Sequence, residues 1–251
     1  MKRLSSVSST FIGGSAESNA TRDMAHVLIV CSVHHEAGRA TAGELHWLLE
    51  QLRPDVIFLE LSPANFSAFL DGSFGTLESA AVMHYRKSNE VEVVPVDMDL
   101  EAAELKPKID EMFERLEGAS PRYCQLHSLS RQHLERGGFA YLNSSVGARI
   151  QVALRREIQA TVEAAGDSTL TDLHALWTRT NDLRESAMIS GVERYASSTS
   201  FKKGVLIVGA AHQQPLFEKI KSRCSDGANT VTWEFEWGLP SITPGLSSVK
   251  L

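Results

Sequence analysis

Three short runs of apolar, largely β-branched residues mark the first hundred positions: HVLIVCSV (26–33), DVIFLEL (55–61) and VEVVPVDMD (91–99). Each run is continuous rather than alternating, which is typical of strands buried on both faces of a parallel sheet. The segment between the first two runs has leucines at helical spacing, with Thr41 suited to be its N-cap and Pro54 following its end. The pattern predicts a βαβ unit with a right-handed crossover. A second helix is predicted over roughly residues 75–87.

Helical periodicity replaces this pattern between about residues 100 and 200. Four helical stretches follow one another there, separated by glycines that favour helix ends: Gly118, Gly137, Gly138 and Gly166. Strand character returns in GVLIVGAA (204–211), and a last helix leads to the strand TVTWEFEW (230–237). We therefore predict an α/β fold. Its central, mainly parallel sheet is flanked by helices, with a helical insertion between the N-terminal βαβ units and the C-terminal strands.

The two ends of the chain lack a core pattern. Residues 1–23 are rich in Ser, Gly, Asn and Thr without a continuous apolar run, so we expect a disordered tail rather than a secretory signal. Organelle targeting by this segment is the alternative. Residues 24–240 are predicted to form one domain and residues 241–251 an irregular tail. No stretch approaches the roughly 20 apolar residues that a membrane-spanning helix needs.

Charge and cysteine content narrow the class of protein further. The net charge of -6 and the absence of a basic stripe argue against a nucleic-acid partner. The three cysteines are scattered and have no CxxC spacing, which favours a reducing compartment over a disulfide framework. A cytoplasmic location is the resulting expectation.

Ionisable side chains follow each predicted strand. His34 and His35 follow the first, Glu60 and Asp97 close the next two, and His212 follows a later one. Because the carboxyl ends of parallel strands meet at one edge, where ligands bind in open α/β sheets, we expect these groups to lie close together. A carboxylate in an apolar run costs several kcal/mol to bury unless a cation or hydrogen-bond donors meet it. The small residues before His212 would let the backbone approach a ligand.

Two imidazoles and a carboxylate are the usual ligands of a catalytic divalent metal. His34, Glu60 and His212 are therefore the predicted ligands, and the set suits Zn, Mn, Co or Fe. The alternative is that these are strand-end polar groups with structural roles, with Glu60 paired to Arg184 or capping a helix. No HExxH spacing is present to favour the metal.

Six short motifs occur in a definite order: CSVH (31–34), RPDVIFLELS (53–62), FGTLESAA (74–81), PVDMD (95–99), LRESAM (183–188) and GAAH (209–212). This order resembles the TraB/Tiki family, part of a wider group with erythromycin-esterase-like and ChaN-like proteins. The resemblance covers most of residues 25–220. Cys31 replaces the first glycine of the family pattern, and Met98 stands where many members carry an arginine.

The resemblance implies an α/β fold and, through the Tiki branch, metal-dependent hydrolysis of a peptide or amide bond in a peptide or small-molecule substrate. Three alternatives remain open. The chain could be a non-catalytic signalling or peptide-binding domain of TraB type. The adjacent His34 and His35 keep haem or metal binding of ChaN type open. An esterase of the erythromycin type would use a histidine–glutamate pair without an obligatory metal.

Further roles can be assigned to the residues around the predicted ligands. Glu60 could act as the general base as well as a ligand, and Arg184 could neutralise it or stabilise an oxyanion. Glu78, at a predicted helix start, could support the same site. Asp97 could orient an imidazole from a second shell, where His35 is also expected.

Overall fold

The computed structural model describes residues 24–100, 102–225 and 231–235. Both predicted tails and the end of the predicted last strand lie outside these residues. Five parallel strands form one sheet: β1 (Ala25–Ser32), β2 (Val56–Leu59), β3 (Glu92–Pro95), β4 (Lys203–Gly209) and β5 (Val231–Phe235). The predicted α/β class is confirmed.

The described residues contain eight α-helices: α1 (Ala42–Leu52), α2 (Phe66–Leu70), α3 (Leu77–Arg86), α4 (Ala102–Ala119), α5 (Pro121–Leu142), α6 (Ser145–Ala165), α7 (Ser168–Ser198) and α8 (Gln213–Ser225). Helices α4 to α7 are the predicted insertion between β3 and β4. Thr41 is the N-cap of α1 as predicted, because its hydroxyl accepts the Glu44 N–H. None of the helices described here is long and apolar enough to cross a membrane.

Helix α5 runs past its predicted stop at Gly137-Gly138. Gly138 has a φ of 54°, and helical geometry resumes after it. A β-carbon at this position would lie 2.1 Å from a carboxylate oxygen of Glu44, which accepts the Phe139 N–H at 3.0 Å. Gly138 is therefore required both by the backbone angle and by the close approach of α1. The glycine signal marks a kink rather than a helix end.

Strand β4 lies between β1 and β2, in the sheet order β3-β2-β4-β1-β5. The connection from β1 through α1 therefore leads to β2, which is two places away in the sheet. The spacing of the sequence pattern could not show whether β1 and β2 are neighbours or are separated by another strand. In register, Ile207 of β4 is opposite Leu59 of β2, and Val208 is opposite Cys31 of β1. The central position of β4 brings the segments that follow three separate strands to one point.

The sheet is covered on both faces, and alternate strand residues face opposite layers. Val30, Leu59 and Ile207 belong to the core beneath α1 and α3. Ile29, Phe58 and Leu206 belong to the core beneath α7 and α8. The chain leaves β1 toward α1 on one face and leaves β4 toward α8 on the other. Two neighbouring parallel strands whose connections diverge leave a crevice at their carboxyl ends, and this is where ligands bind in such sheets.

The insertion is joined to the end of β1 through one side chain, Asn143, which follows α5 and is buried. The Cys31 N–H donates to its Oδ1 at 2.7 Å, and its Nδ2 donates to the Cys31 carbonyl at 3.1 Å. Ile29 is the last β1 residue paired with the described part of β5. Two residues further on, the Asn143 side-chain amide makes the two hydrogen bonds to Cys31 that a neighbouring strand would otherwise make. This contact fixes the helical insertion above the crevice.

Candidate functional site

Glu60, directly after β2, lies at the centre of the crevice. Its side chain is 6% exposed, and its Oε1 lies 2.5 Å from Arg184 Nη2 and 3.3 Å from His212 Nε2. The Gly209 N–H donates to the other carboxylate oxygen at 2.6 Å. Burial favours the neutral acid, but His212, Arg184 and the Gly209 N–H together hold the pKa of Glu60 well below its usual range. Glu60 is therefore an ionised, fully bonded carboxylate.

Arg184, on α7, is held by two carboxylates. Its Nε and Nη2 donate to Asp97 Oδ2 at 3.0 and 2.7 Å, in addition to the bond from Nη2 to Glu60. Asp97 was expected to orient an imidazole, and this expectation is corrected: its partner is the guanidinium, because α7 lies over the end of β3. The sequence-based alternative that pairs Glu60 with Arg184 describes this contact.

His212 is buried just after β4 and contacts a carboxylate at each ring nitrogen. Nδ1 lies 3.0 Å from Glu185 Oε1, and Nε2 faces Glu60. A carboxylate at each ring nitrogen favours a ring that carries a proton on both. Burial alone would lower the pKa of His212, but the bonds to Glu185 and Glu60 raise it to about 9. His212 is an imidazolium cation at neutral pH.

His34, two residues beyond β1, has a different environment. Its side chain is 55% exposed, and Nδ1 lies 3.1 Å from Oε1 of the largely buried Glu78 near the start of α3. The Leu77 N–H donates to the His34 carbonyl at 2.9 Å, which fixes the backbone against the same helix end. The hydrogen bond from His34 to the Glu78 carboxylate raises the pKa of His34 above its usual value of 6.5, against the opposing effect of burial. Nε2 makes no hydrogen bond to another described residue.

The second carboxylate oxygen of Glu78 is buried without a hydrogen-bond partner among the described residues. Glu78, His34 and Glu60 border a small cavity of about 30 Å³, together with Thr76 and Ser79. This volume is sufficient for one water molecule, and these five polar residues share the lining with five apolar ones. The arrangement offers a water position between the His34–Glu78 pair and Glu60.

A larger cavity of about 760 Å³ shares His34 and Glu60 with the small one. His34, His35, Glu60, Arg184 and His212 all line it, and α4 to α7 supply its other walls. His35 is exposed and makes no hydrogen bond or ion pair with the rest of the described chain. The strand ends and the helices beside them therefore bring six of the seven predicted site residues to one crevice. They form two groups, the His34–Glu78 pair and the cluster of Glu60, Asp97, Arg184 and His212, and His35 belongs to neither.

The geometry does not fit the predicted metal centre. The Glu60 oxygens are bonded to Arg184 and Gly209, and each His212 ring nitrogen faces a carboxylate. The Arg184 guanidinium would also repel a divalent cation. Across residues 24–100, 102–225 and 231–235, no group of three or more His, Cys, Asp or Glu side chains could hold a metal ion. Metal binding by His34, Glu60 and His212 stays a prediction that this arrangement does not favour.

Sequence reasoning missed Glu185, the neighbour of Arg184 in the motif LRESAM. The sequence does contain a signal that Glu185 is buried. Glu185 is spaced three, four and seven residues from Met188, Ile189 and Val192, which places it on the apolar stripe of α7. A buried carboxylate on such a stripe needs a partner, and His212 and Lys219 supply it.

The position of Gly209 is explained by the site. A β-carbon there would lie 3.3 Å from the Glu60 carboxylate, so glycine allows the backbone N–H to approach. Cys31, three residues before His34 at the end of the neighbouring strand, is fully buried. Burial, with a smaller effect of the Glu60 charge, raises the pKa of its thiol to about 12. This thiol is not a nucleophile at neutral pH.

Comparison of the chain with protein-family models, curated proteins and solved structures found no match. The resemblance to the TraB/Tiki family therefore stays a prediction, and the argument about function depends on the geometry of the site.

Proposed function

We propose that the protein is a metal-independent hydrolase that cleaves a carboxylic ester or amide bond in a small molecule bound in the large cavity. One observation carries the proposal: an exposed imidazole, held by a buried carboxylate, opens on the same cavity as a fixed guanidinium. A base and an oxyanion donor directed at one space are the two elements that acyl hydrolysis requires.

His34 is the general base of this proposal. Because the Glu78 carboxylate accepts from Nδ1–H, the neutral ring has its lone pair on Nε2. Nε2 takes a proton from a water molecule as the water oxygen attacks the carbonyl carbon. The small cavity bordered by Glu78 and Glu60 offers this water a position beside the ring. Glu78 stabilises the imidazolium that forms and orients the ring.

Arg184 stabilises the oxyanion in the proposed mechanism. Its Nε and Nη2 are occupied by Asp97 and Glu60, whereas Nη1 makes no hydrogen bond within the described part of the chain. A guanidinium held by two buried carboxylates does not reorganise as charge develops, which is the condition for effective electrostatic stabilisation. Nη1–H donates to the carbonyl oxygen as it becomes negative.

The tetrahedral intermediate then breaks down when His34 transfers this proton to the leaving group. The carbon–oxygen or carbon–nitrogen bond to the leaving group breaks, and the His34 imidazolium gives its proton to the departing atom. The products are a carboxylic acid and an alcohol or amine, and His34 returns to its neutral form. His212 remains protonated throughout, and its role is to hold Glu60 in place.

The test is hydrolysis of a panel of para-nitrophenyl esters and para-nitroanilides with aromatic and aliphatic acyl groups. We expect turnover that EDTA leaves unchanged, because the proposal has no metal step. His34→Gln should lower kcat/KM by at least about 100-fold. His26→Gln is the matched control, since His26 lies at the opposite end of the same strand and pairs with Glu234.

Three results would overturn the proposal: no turnover of any panel member, equal losses in His34→Gln and His26→Gln, or a rate that EDTA abolishes and a divalent metal restores. The last result would favour the metal-dependent hydrolase over the metal-independent one. Circular dichroism of each variant separates loss of chemistry from loss of fold.

A further inference from the structure

The walls of the large cavity are aromatic. Phe113 contacts Tyr123 and Trp177, with ring centroids 6.3 and 5.9 Å apart, and His127 stacks on Tyr123 at 5.9 Å. These four rings come from α4, α5 and α7, and all of them line the cavity. Leucine and isoleucine side chains complete the wall: Leu134, Leu154 and Ile158. A cavity of about 760 Å³ with such walls matches a small-molecule site rather than an extended peptide groove.

Three arginines line this cavity, and two of them are neutralised. Arg131 pairs with Glu135 at 3.0 Å, and Arg184 has its two carboxylates. Arg155, on α6, has no carboxylate within 4.0 Å among the described residues. A guanidinium does not lose its charge at any physiological pH, so Arg155 is an unpaired cation beside an apolar wall.

The position of Arg155 is defined on two sides. Its Nη2 donates to the Ala211 carbonyl at 3.1 Å, and its Cζ lies 5.8 Å from the centroid of the Trp177 ring. Three acidic side chains border a neighbouring cleft together with Arg155. Asp182 and Glu185 bind Lys219, and Glu185 also binds His212. Glu218 accepts a hydrogen bond from Gln214 at 2.8 Å and has no atom within ion-pair distance of Arg155. The remaining N–H groups of Arg155 are therefore available to an anion in the cavity.

We propose that the cavity binds a small molecule with a flat hydrophobic body and one anionic group, such as a carboxylate. The body lies against Trp177 and the exposed ring of His127, and the anion binds Arg155. One unpaired guanidinium matches one planar carboxylate in a bidentate pair, whereas a polyphosphate would need more cations than the wall offers. This inference extends the proposed function by naming the substrate class, but binding of such a ligand does not depend on hydrolysis.

Two fluorescent probes test the charge requirement. Anilinonaphthalene sulfonate has a flat aromatic body and an anion, and N-phenylnaphthylamine has the same ring system without the anion. We expect Arg155→Gln to weaken binding of the sulfonate by about 10-fold and to leave binding of the neutral probe within about 2-fold. Arg155→Lys keeps the charge and should retain part of the affinity for the sulfonate.

Arg156→Gln is the matched control, because Arg156 is the next residue of α6 and its side chain is exposed. It should change the affinity for neither probe. Equal weakening of both probes by Arg155→Gln, or equal effects of Arg155→Gln and Arg156→Gln on the sulfonate, would overturn the assignment. If the protein binds both probes as expected but hydrolyses no ester or anilide, only the proposed function is contradicted. If it hydrolyses them but Arg155→Gln does not weaken sulfonate binding selectively, only this inference is contradicted.

Discussion

The ends of β1 and β4 carry the same short pattern, a small residue followed three places later by a histidine, yet the two histidines differ in chemistry. His34 has a side chain that is 55% exposed and contacts one carboxylate. His212 has a side chain that is 7% exposed and contacts two. The first ring can exchange a proton with a ligand in the cavity, and the second is a fixed cation inside the protein.

The difference arises from what packs against each strand end. The β1 end faces α3 and the open cavity, so only Glu78 reaches His34. The β4 end lies between β2 and α7, and each supplies a buried acid to His212. A sequence motif at a strand end therefore predicts proximity to a site, whereas the neighbouring elements decide whether the side chain acts in chemistry or in support.

The largest expected contrast between the two ends is in activity. His34→Gln should lower kcat/KM by about 100-fold to 10,000-fold, because it removes the general base. Its thermal unfolding midpoint should stay close to that of the wild type, since the ring is exposed and forms one hydrogen bond. Steady-state kinetics and calorimetry on the same preparation measure both. A large loss of stability would mean that His34 is a structural residue.

The next contrast is in stability at the end of β4. Glu185→Gln leaves the buried His212 without one of its two anionic partners, which should lower the free energy of unfolding by about 3 kcal/mol. Glu78→Gln is the matched variant at the end of β1, and its effect should stay below about 1 kcal/mol because His34 can reach solvent. Urea unfolding at neutral pH measures both, and equal losses would remove the distinction between the two ends.

The pH dependence of stability should follow His212. Its pKa is about 9 in the folded protein against 6.5 as the ordinary value, so its contribution is complete below pH 6.5 and is lost as the pH rises through 9. The expected loss is about 3 kcal/mol between these limits. Glu60 has a folded pKa below its ordinary 4.5, so its contribution is present above pH 4.5 and is lost as the pH falls further.

Urea unfolding from about pH 3 to about pH 10 measures this profile, and the free energy of unfolding should be highest between pH 4.5 and pH 6.5, where both contributions are complete. The matched variant is Glu185→Gln, which removes one of the two carboxylates that raise the pKa of His212. Its stability should therefore begin to fall at lower pH than that of the wild type. A wild-type stability that stays constant through pH 9 would contradict a charged His212.

The smallest expected effect is a shift in the pH–rate profile. The general base must be neutral, so kcat/KM should rise with pH through a pKa above 6.5, because Glu78 raises the pKa of His34. Glu78→Gln should move this inflection to lower pH, while His26→Gln leaves it in place. An inflection that Glu78→Gln does not move would separate His34 from the carboxylate that is proposed to orient it.

Much of this arrangement could be predicted from the sequence, because continuous apolar runs determine buried parallel strands and their ends share an edge. The gathering of His34, Glu60 and His212 follows from that rule. The strand order could not be predicted, since nothing in the spacing shows that β4 enters between β1 and β2. The partner of Asp97 was misassigned for the same reason: the path of α7 over β3 is a tertiary feature.

The protonation of His212 also lay beyond sequence reasoning. Imidazole and carboxylate residues at strand ends are equally compatible with metal ligation and with ion pairing, and only distances distinguish the two. In this structure Glu185 occupies the Nδ1 side of the ring and Glu60 the other, an arrangement that favours ion pairing. The apolar stripe of α7 gave a signal for its burial but none for its partner.

The most direct test of the account is NMR of the histidine ring nitrogens as a function of pH, with His34 and His212 assigned by their Gln variants. The account predicts that both His212 nitrogens stay protonated at neutral pH and titrate near pH 9, while His34 titrates separately, above pH 6.5, from a neutral form protonated at Nδ1. A His212 ring with one unprotonated nitrogen at neutral pH, or resonances of both rings that shift together on adding one equivalent of zinc, would contradict it.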